Sequence, residues 1–112
     1  PVIIFDDFTT AFKFVDFDFK VKSSAMKILL PKSLNNIRFI YEAMKTIKFP
    51  KGEHKRYWIS EFSFMKIAWP SSLEQKKIAD FLSSVDNKIE LVGTQITQTE
   101  SFKKGLLQQM FV

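Results

Sequence analysis

From Ile78 to Met110 the apolar residues recur in alternating steps of four and three: Ile78, Leu82, Val85, Ile89, Val92, Ile96, Thr99, Lys103, Leu106 and Met110. Eight of these ten positions are apolar, and a period of about 3.5 residues is that of a coiled-coil seam, where two helices bury one narrow stripe against each other. Upstream, Pro70 ends whatever precedes it. Ser71 or Ser72 then offers an N-cap oxygen, with Glu74 or Gln75 three residues on to complete a capping box. The pattern predicts one helix over residues 72–110, about 57 Å long at about 1.5 Å per residue. A compact globule of this chain length has a radius of gyration of only about 13 Å, so such a helix should project beyond its own domain. A helix of that length is a poor fit to the core of its own globule. The seam residues Ile78, Leu82, Val85, Ile89, Val92, Ile96, Leu106 and Met110 are therefore expected to form an interface with a partner helix. The seam weakens at Thr99 and Lys103, where Phe102 on the neighbouring face takes over. Gly93 and Gly105, each costing about 1 kcal/mol relative to Ala in a helix interior, are the places for a kink or an early end. Lys88 and Glu90 beside the seam read as a solvated face worth little energetically.

The remaining sequence is of a different kind. A chain of 112 residues with 46% hydrophobic content can build one compact domain and not two. It opens at Pro1 inside an apolar run and reads as part of a longer polypeptide, not as a signal peptide. With no cysteine and the single His54, disulfide frameworks, thiolate metal sites and His-rich metal cages are excluded, and no metal or cofactor is expected. No uncharged apolar run approaches the roughly 18 residues of a membrane-spanning helix. The net charge of +5 is unevenly placed: residues 1–70 carry 12 Lys/Arg against 7 Asp/Glu, and residues 71–112 carry five of each. A polyanion-binding surface should therefore be sought in the first part.

Within that first part, residues 2–5, 12–22 and 26–30 read as strands, being rich in aromatic and branched residues with polar residues interleaved. Phe12 and Phe14 keep one parity, whereas Phe17, Phe19 and Val21 keep the other. The slip at Val15–Asp16 predicts a bulge or a tight bend. After Pro31, Asn35 or Asn36 can cap a short helix with an apolar face of Ile37, Ile40, Tyr41, Met44 and Ile47, ending before Pro50. A polar loop follows, and residues 57–59 and 64–69 return to strand-like patterning. The fold class is thus α+β: a small mixed or antiparallel β subdomain with a short helix over residues 1–70, then a long C-terminal helix over 71–112.

The loop holds the best nucleic-acid candidates. Lys51, His54, Lys55 and Arg56, with Tyr57 and Trp58 adjacent, combine phosphate-neutralising cations with a guanidinium able to grip guanine O6 and N7. The plain alternative is a solvated loop, since a few lysines around one glycine are common. His54 alone supports no metal or general-base role. The six phenylalanines from Phe5 to Phe19 could offer a base-stacking platform, but their alternation with polar residues favours a sheet core. Asp7 with Asp18-Phe-Lys20 imitates a metal-dependent nuclease arrangement. The same acidic-x-Lys triplet recurs at Glu53, Glu74 and Asp86, which marks it as background.

The most specific stretch is Ile67-Ala-Trp-Pro-Ser-Ser-Leu-Glu-Gln-Lys-Lys-Ile-Ala-Asp-Phe-Leu-Ser-Ser-Val-Asp-Asn-Lys-Ile89, followed by Lys103-Lys-Gly-Leu-Leu-Gln-Gln-Met-Phe111. It resembles the segment that follows a target-recognition domain in the specificity subunits of type I restriction-modification systems. The match is carried by Pro70, Glu74, Gln75, Ile78, Ala79, Leu82, Asp86 and Ile89, and by Lys103, Gly105, Leu106, Leu107, Gln108, Met110 and Phe111; the spacing between the two blocks also agrees. A strand ending in Pro31, the Arg38–Tyr41 helix and the basic loop are similar, more weakly, to the C-terminal portion of such a domain. The family's domain has a first portion of comparable size that these residues lack, and base-contacting loops are expected there too.

The resemblance implies a non-catalytic, sequence-reading subunit in the bacterial cytoplasm. It would bind double-stranded DNA, recognise half of a split target, and space the halves by paired helices. Separate modification (methyltransferase) and restriction (motor/nuclease) subunits would do the chemistry. The sister helix would come from the same full-length chain or from a homodimer. A coiled-coil assembly module without autonomous DNA binding is the alternative.

Overall fold

The computed structural model describes residues 1–48, 57–58 and 61–111. The chain forms two compact units, Pro1–Ala79 and Asp80–Val112. The first is built on a three-stranded antiparallel sheet of β1 (Val2–Asp6), β2 (Phe12–Val15) and β3 (Met26–Leu29), in the order β2-β1-β3. β1 is central because it pairs with both neighbours: Ile3 lies opposite Phe14 and Leu29, and Phe5 opposite Phe12 and Lys27. Residues directly opposite each other share a face, so Ile3, Phe5, Phe12, Phe14 and Leu29 form one apolar side. Ile3 and Phe5 are fully buried there.

A short helix, α1 (Ile37–Met44), lies against this side. Its N-cap is Asn36, whose Oδ1 accepts the Phe39 N–H at 2.9 Å, and its apolar face is the one that the periodicity predicts. Met44 is buried in the core with Ile3 and Phe5, and Ile37, Ile40, Tyr41 and Ile47 pack around it. The rings of Phe12 and Phe14 meet Tyr41 at 5.6 and 5.8 Å, and the Arg38 guanidinium stacks over Phe14 at 4.9 Å. Arg38 and Lys45 both pair with Glu42. Phe39, on the opposite side of α1, is also buried and meets the edge of Trp69.

Two strand expectations do not hold. β2 stops at Val15, at the parity slip, and residues 16–25 leave the sheet; Phe17 is 60% exposed. Three of the six phenylalanines between Phe5 and Phe19, namely Phe8, Phe17 and Phe19, are exposed and lie outside the sheet core. Residues 64–69 form no strand either. A 3-10 turn, Phe62–Phe64, is followed by unpaired chain, because Phe62 is drawn into the core beside Phe5 and β3 already ends the sheet.

A long helix, α2 (Ser72–Met110, 39 residues), completes the chain. Ser71 Oγ accepts the Glu74 N–H at 3.3 Å, so the serine half of the predicted cap is present. The helix runs without interruption through Gly93 and Gly105, neither of which adopts a positive φ. No described helix is long and apolar enough to cross a membrane.

A Cβ placed on Gly93 meets no heavy atom within 4 Å. Gly93→Ala should therefore recover the helix propensity that glycine forfeits, stabilising α2 by about 1 kcal/mol. A urea titration followed by circular dichroism should show a raised midpoint; a lowered one would mean that another backbone approaches this position.

Candidate nucleic-acid interface

The basic loop is preceded by α1 and followed by Tyr57 and Trp58. Lys51, His54, Lys55 and Arg56 lie outside the described residues; Tyr57 does not. Its side chain is 3% exposed and belongs to the core cluster with Ile3, Phe5, Met44 and Phe62. Trp58 packs at 5.2 Å from Phe5 and stacks on Phe62 at 6.1 Å. The residues that follow the cationic stretch are thus an aromatic anchor.

What fastens that anchor is Asp7. The inward parity of β1 runs Ile3, Phe5, Asp7, and it brings a carboxylate to the core face with no exposed surface. Asp7 Oδ1 accepts the Trp58 N–H at 2.7 Å and its carbonyl accepts the Tyr57 N–H at 2.9 Å. Its own N–H donates to the Ala25 carbonyl at 2.9 Å, just before β3. Oδ2 accepts no hydrogen bond from the described residues and faces Lys27 Nζ at 3.8 Å. Lys27 is the β3 residue opposite Phe5, and its side chain is 28% exposed. A buried carboxylate is tolerated when hydrogen-bonded and charge-compensated. Asp7 is committed to these contacts, which is a positive use for the residue that the nuclease reading assigns to a metal. Among the described residues no group of three or more His, Asp or Glu side chains is placed to hold an ion.

The neighbouring Asp6 has a different task. Its Oδ1 accepts the Phe8 N–H at 2.9 Å and the Thr9 N–H at 3.3 Å, closing the β1–β2 turn in which Thr10 takes a positive φ of 59°. The Phe8 hydrogen bond, helped by Thr9 and opposed by desolvation, holds the Asp6 carboxyl below its ordinary 3.8.

The predicted seam lies mostly on α2 beyond Ala79. Ile78 and Leu82 are half-buried. Val85, Ile89, Val92, Ile96, Leu106 and Met110 are all exposed, from 39% at Val85 to 73% at Met110. Phe81, Leu91 and Phe102 add exposed apolar surface off the seam. Sequence reasoning missed the burial of three polar residues, Asp7, Thr10 and Gln75. The β1 alternation carried the signal for Asp7, whereas Gln75 stood as a capping-box candidate of its own helix and as one of the residues that carry the resemblance.

Asp7→Ala should strand the Trp58 N–H and cost about 1–3 kcal/mol, with Trp58 fluorescence shifted to the red in the native state. Asp7→Asn, which keeps one acceptor, should cost less. Equal stability of the alanine variant in a urea titration would show that the carboxylate fastens nothing.

Because folding lowers the Asp6 pKa, its contribution is present above the ordinary carboxyl value and is lost as pH falls through the folded one. Stability should therefore drop more steeply below about pH 4 in the wild type than in Asp6→Asn. Parallel acid profiles would contradict this.

The comparisons with known proteins agree with the resemblance in the sequence. The family model described as "Type I restriction modification DNA specificity domain" matches residues 3–101. A stretch of 74 residues is 53% identical to the type I restriction enzyme EcoR124I/EcoR124II specificity subunit of Escherichia coli, covering 62% of this chain and 18% of that protein. The chain thus corresponds to under a fifth of the length of that relative. No solved structure matches the chain. The family model covers well over half of the 112 residues, and the chain belongs to the type I restriction-modification DNA specificity domain family.

Proposed function

We propose that this chain is a DNA-reading part of a type I specificity subunit and is itself non-catalytic. The observation that carries this reading is the family match across residues 3–101, which takes in both the sheet and most of α2. In this reading residues 1–70 belong to the target-recognition part and residues 71–112 to a spacer and pairing helix. Lys51, His54, Lys55 and Arg56 contact DNA, the cations neutralising phosphates and Arg56 also reaching a guanine edge. Tyr57, buried as it is, serves by anchoring the end of that loop. The excess positive charge of residues 1–70 favours the same surface.

The exposed seam of α2 is the second half of the proposal. Each Leu, Ile or Val along it gains about 1.5–3 kcal/mol on full burial, which favours a sister helix packed along Ile78–Met110. That helix comes from elsewhere in the full-length subunit or from a second copy. The subunit acts with modification and motor/nuclease subunits in the bacterial cytoplasm, reading one half of a divided target while the paired helices set the distance to the other. The exposed seam also suits an assembly module that binds no DNA by itself.

One titration separates these readings. The full-length subunit containing this chain should bind duplex DNA with a steep salt dependence. Replacing Lys51, Lys55 and Arg56 by Ala should flatten the log–log slope by about 0.9 for each phosphate contact removed. An unchanged affinity and slope would overturn the assignment of the loop, and absence of binding in the parent subunit would favour the assembly module. Leu82→Asp with Ile89→Asp should alter the mass of the particle in solution; an unchanged mass and fold would refute an intermolecular seam and leave pairing within one chain.

A further inference from the structure

A helix start leaves its first N–H groups without partners, and a capping box supplies two of them from within the helix. The N-cap oxygen takes the N3 amide, and a Glu or Gln at N3 takes the N-cap amide. In α1 only the first half is local. Asn36 Oδ1 accepts the Phe39 N–H, but the N3 residue is Phe39 itself, which has no polar atom to return. The second half arrives from a residue 39 positions along the chain: Gln75 Oε1 accepts the Asn36 N–H at 2.9 Å.

Gln75 belongs to the first turns of α2 and is 1% exposed. Its Nε2 donates to Asn35 Oδ1 at 3.1 Å and to the Pro70 carbonyl at 2.9 Å. These partners fix which end of the amide is which. The Asn36 N–H can only donate and the Pro70 carbonyl can only accept, while Asn35 spends its own Nδ2 on the Lys32 carbonyl at 2.6 Å and must turn its oxygen to Gln75. The α2 terminus does not need the Gln75 side chain, since Ser71 Oγ already receives the Glu74 amide.

We propose that Gln75 is a positioning residue, a capping box completed between two helices, which locks the start of α2 to the N-terminus of α1 and thereby sets how strictly the subunit discriminates between target spacings. This rests on the reading of the chain as a DNA specificity part. The chemistry demands glutamine. A glutamate has the same shape and still accepts the Asn36 amide, but when ionised it turns an acceptor towards two other acceptors. When protonated it can donate to one of them. Nothing that depends on shape alone distinguishes those two states.

The test has two readouts. In this chain, the stability deficit of Gln75→Glu relative to wild type should be large at neutral pH and shrink as pH falls, because burial against acceptors favours the protonated carboxyl. In the full-length subunit, affinity is measured for duplexes whose two half-sites are separated by different numbers of base pairs. Wild type should prefer one spacing, and Gln75→Glu at neutral pH should lose about tenfold of that preference while single half-site affinity holds. Asn35→Ala, which removes one acceptor at a half-buried position, should move the preference in the same direction by less and serves if the glutamate variant does not fold. A pH-independent deficit, or a wild-type spacing preference in both variants, overturns the inference. If wild type itself shows no spacing preference, the spacing part of the proposed function fails, and the pH profile alone then decides whether Gln75 locks the two helices.

Discussion

The first unit depends on a buried carboxylate at the end of its central strand. β1 sends Ile3 and Phe5 inward, and Asp7, just past its end, keeps that parity. An unpaired charge there would cost several kcal/mol. Through Oδ1, its carbonyl and its N–H, Asp7 draws together the Tyr57–Trp58 segment and the approach to β3. With those amides held, Trp58 and Phe62 rest on Phe5. The polar contact and the aromatic packing therefore support each other: the rings exclude water from the carboxylate, and the carboxylate places the rings. Lys27 balances the charge while keeping part of its side chain in solvent, which makes the pair less costly to bury than two wholly enclosed ions.

Much of this fold was legible in the sequence where periodicity speaks directly. The strands β1 and β3, the apolar face of α1 and the length of α2 follow from repeats of two or of three to four residues. A side-chain oxygen at each N-cap was legible as Asn35 or Asn36 and as Ser71 or Ser72, and the structure selects Asn36 and Ser71. Legibility fails where tertiary packing competes with local preference. Residues 17–21 have strand-like composition, but Val15 already pairs with Val2, the first residue of β1, so no residue of that strand lies opposite them. Residues 64–69 have strand-like composition, yet Phe64 belongs to a 3-10 turn and residues 65–69 pair with no strand, while Phe62 is used in the core. Of the candidate interface, the charge asymmetry was legible and the burial of Tyr57 was not. Its ring is claimed by partners distant in sequence, which no local pattern encodes.

The two most buried polar side chains of the first unit, Asp7 and Gln75, do comparable work by different means. Each side chain accepts a backbone N–H from a distant segment, Trp58 for Asp7 and Asn36 for Gln75. Asp7 serves a segment without regular structure, and Gln75 serves another helix. Asp7 lies just past the end of β1 and Gln75 in the first turn of α2, so hydrogen bonding, which is directional, settles geometry that apolar contact would leave loose. The second unit carries no such device among its described residues: α2 beyond Ala79 buries no side chain.

The continuity of α2 through Gly93 and Gly105 has a geometric consequence. Its seam repeats every 3.5 residues, whereas a straight α-helix turns every 3.6, so the stripe slips around the cylinder by about 20° per heptad. Across the 33 residues from Ile78 to Met110, that accumulates to about 90°. A straight rod laid beside α2 could follow the stripe over only part of its length; a helix that follows all of it must wind with α2 into a left-handed superhelix. Length and twist along this seam are then a single quantity. Each inserted heptad adds about 10.5 Å and turns the far end by about 20°, so a change in reach is always also a change in rotation.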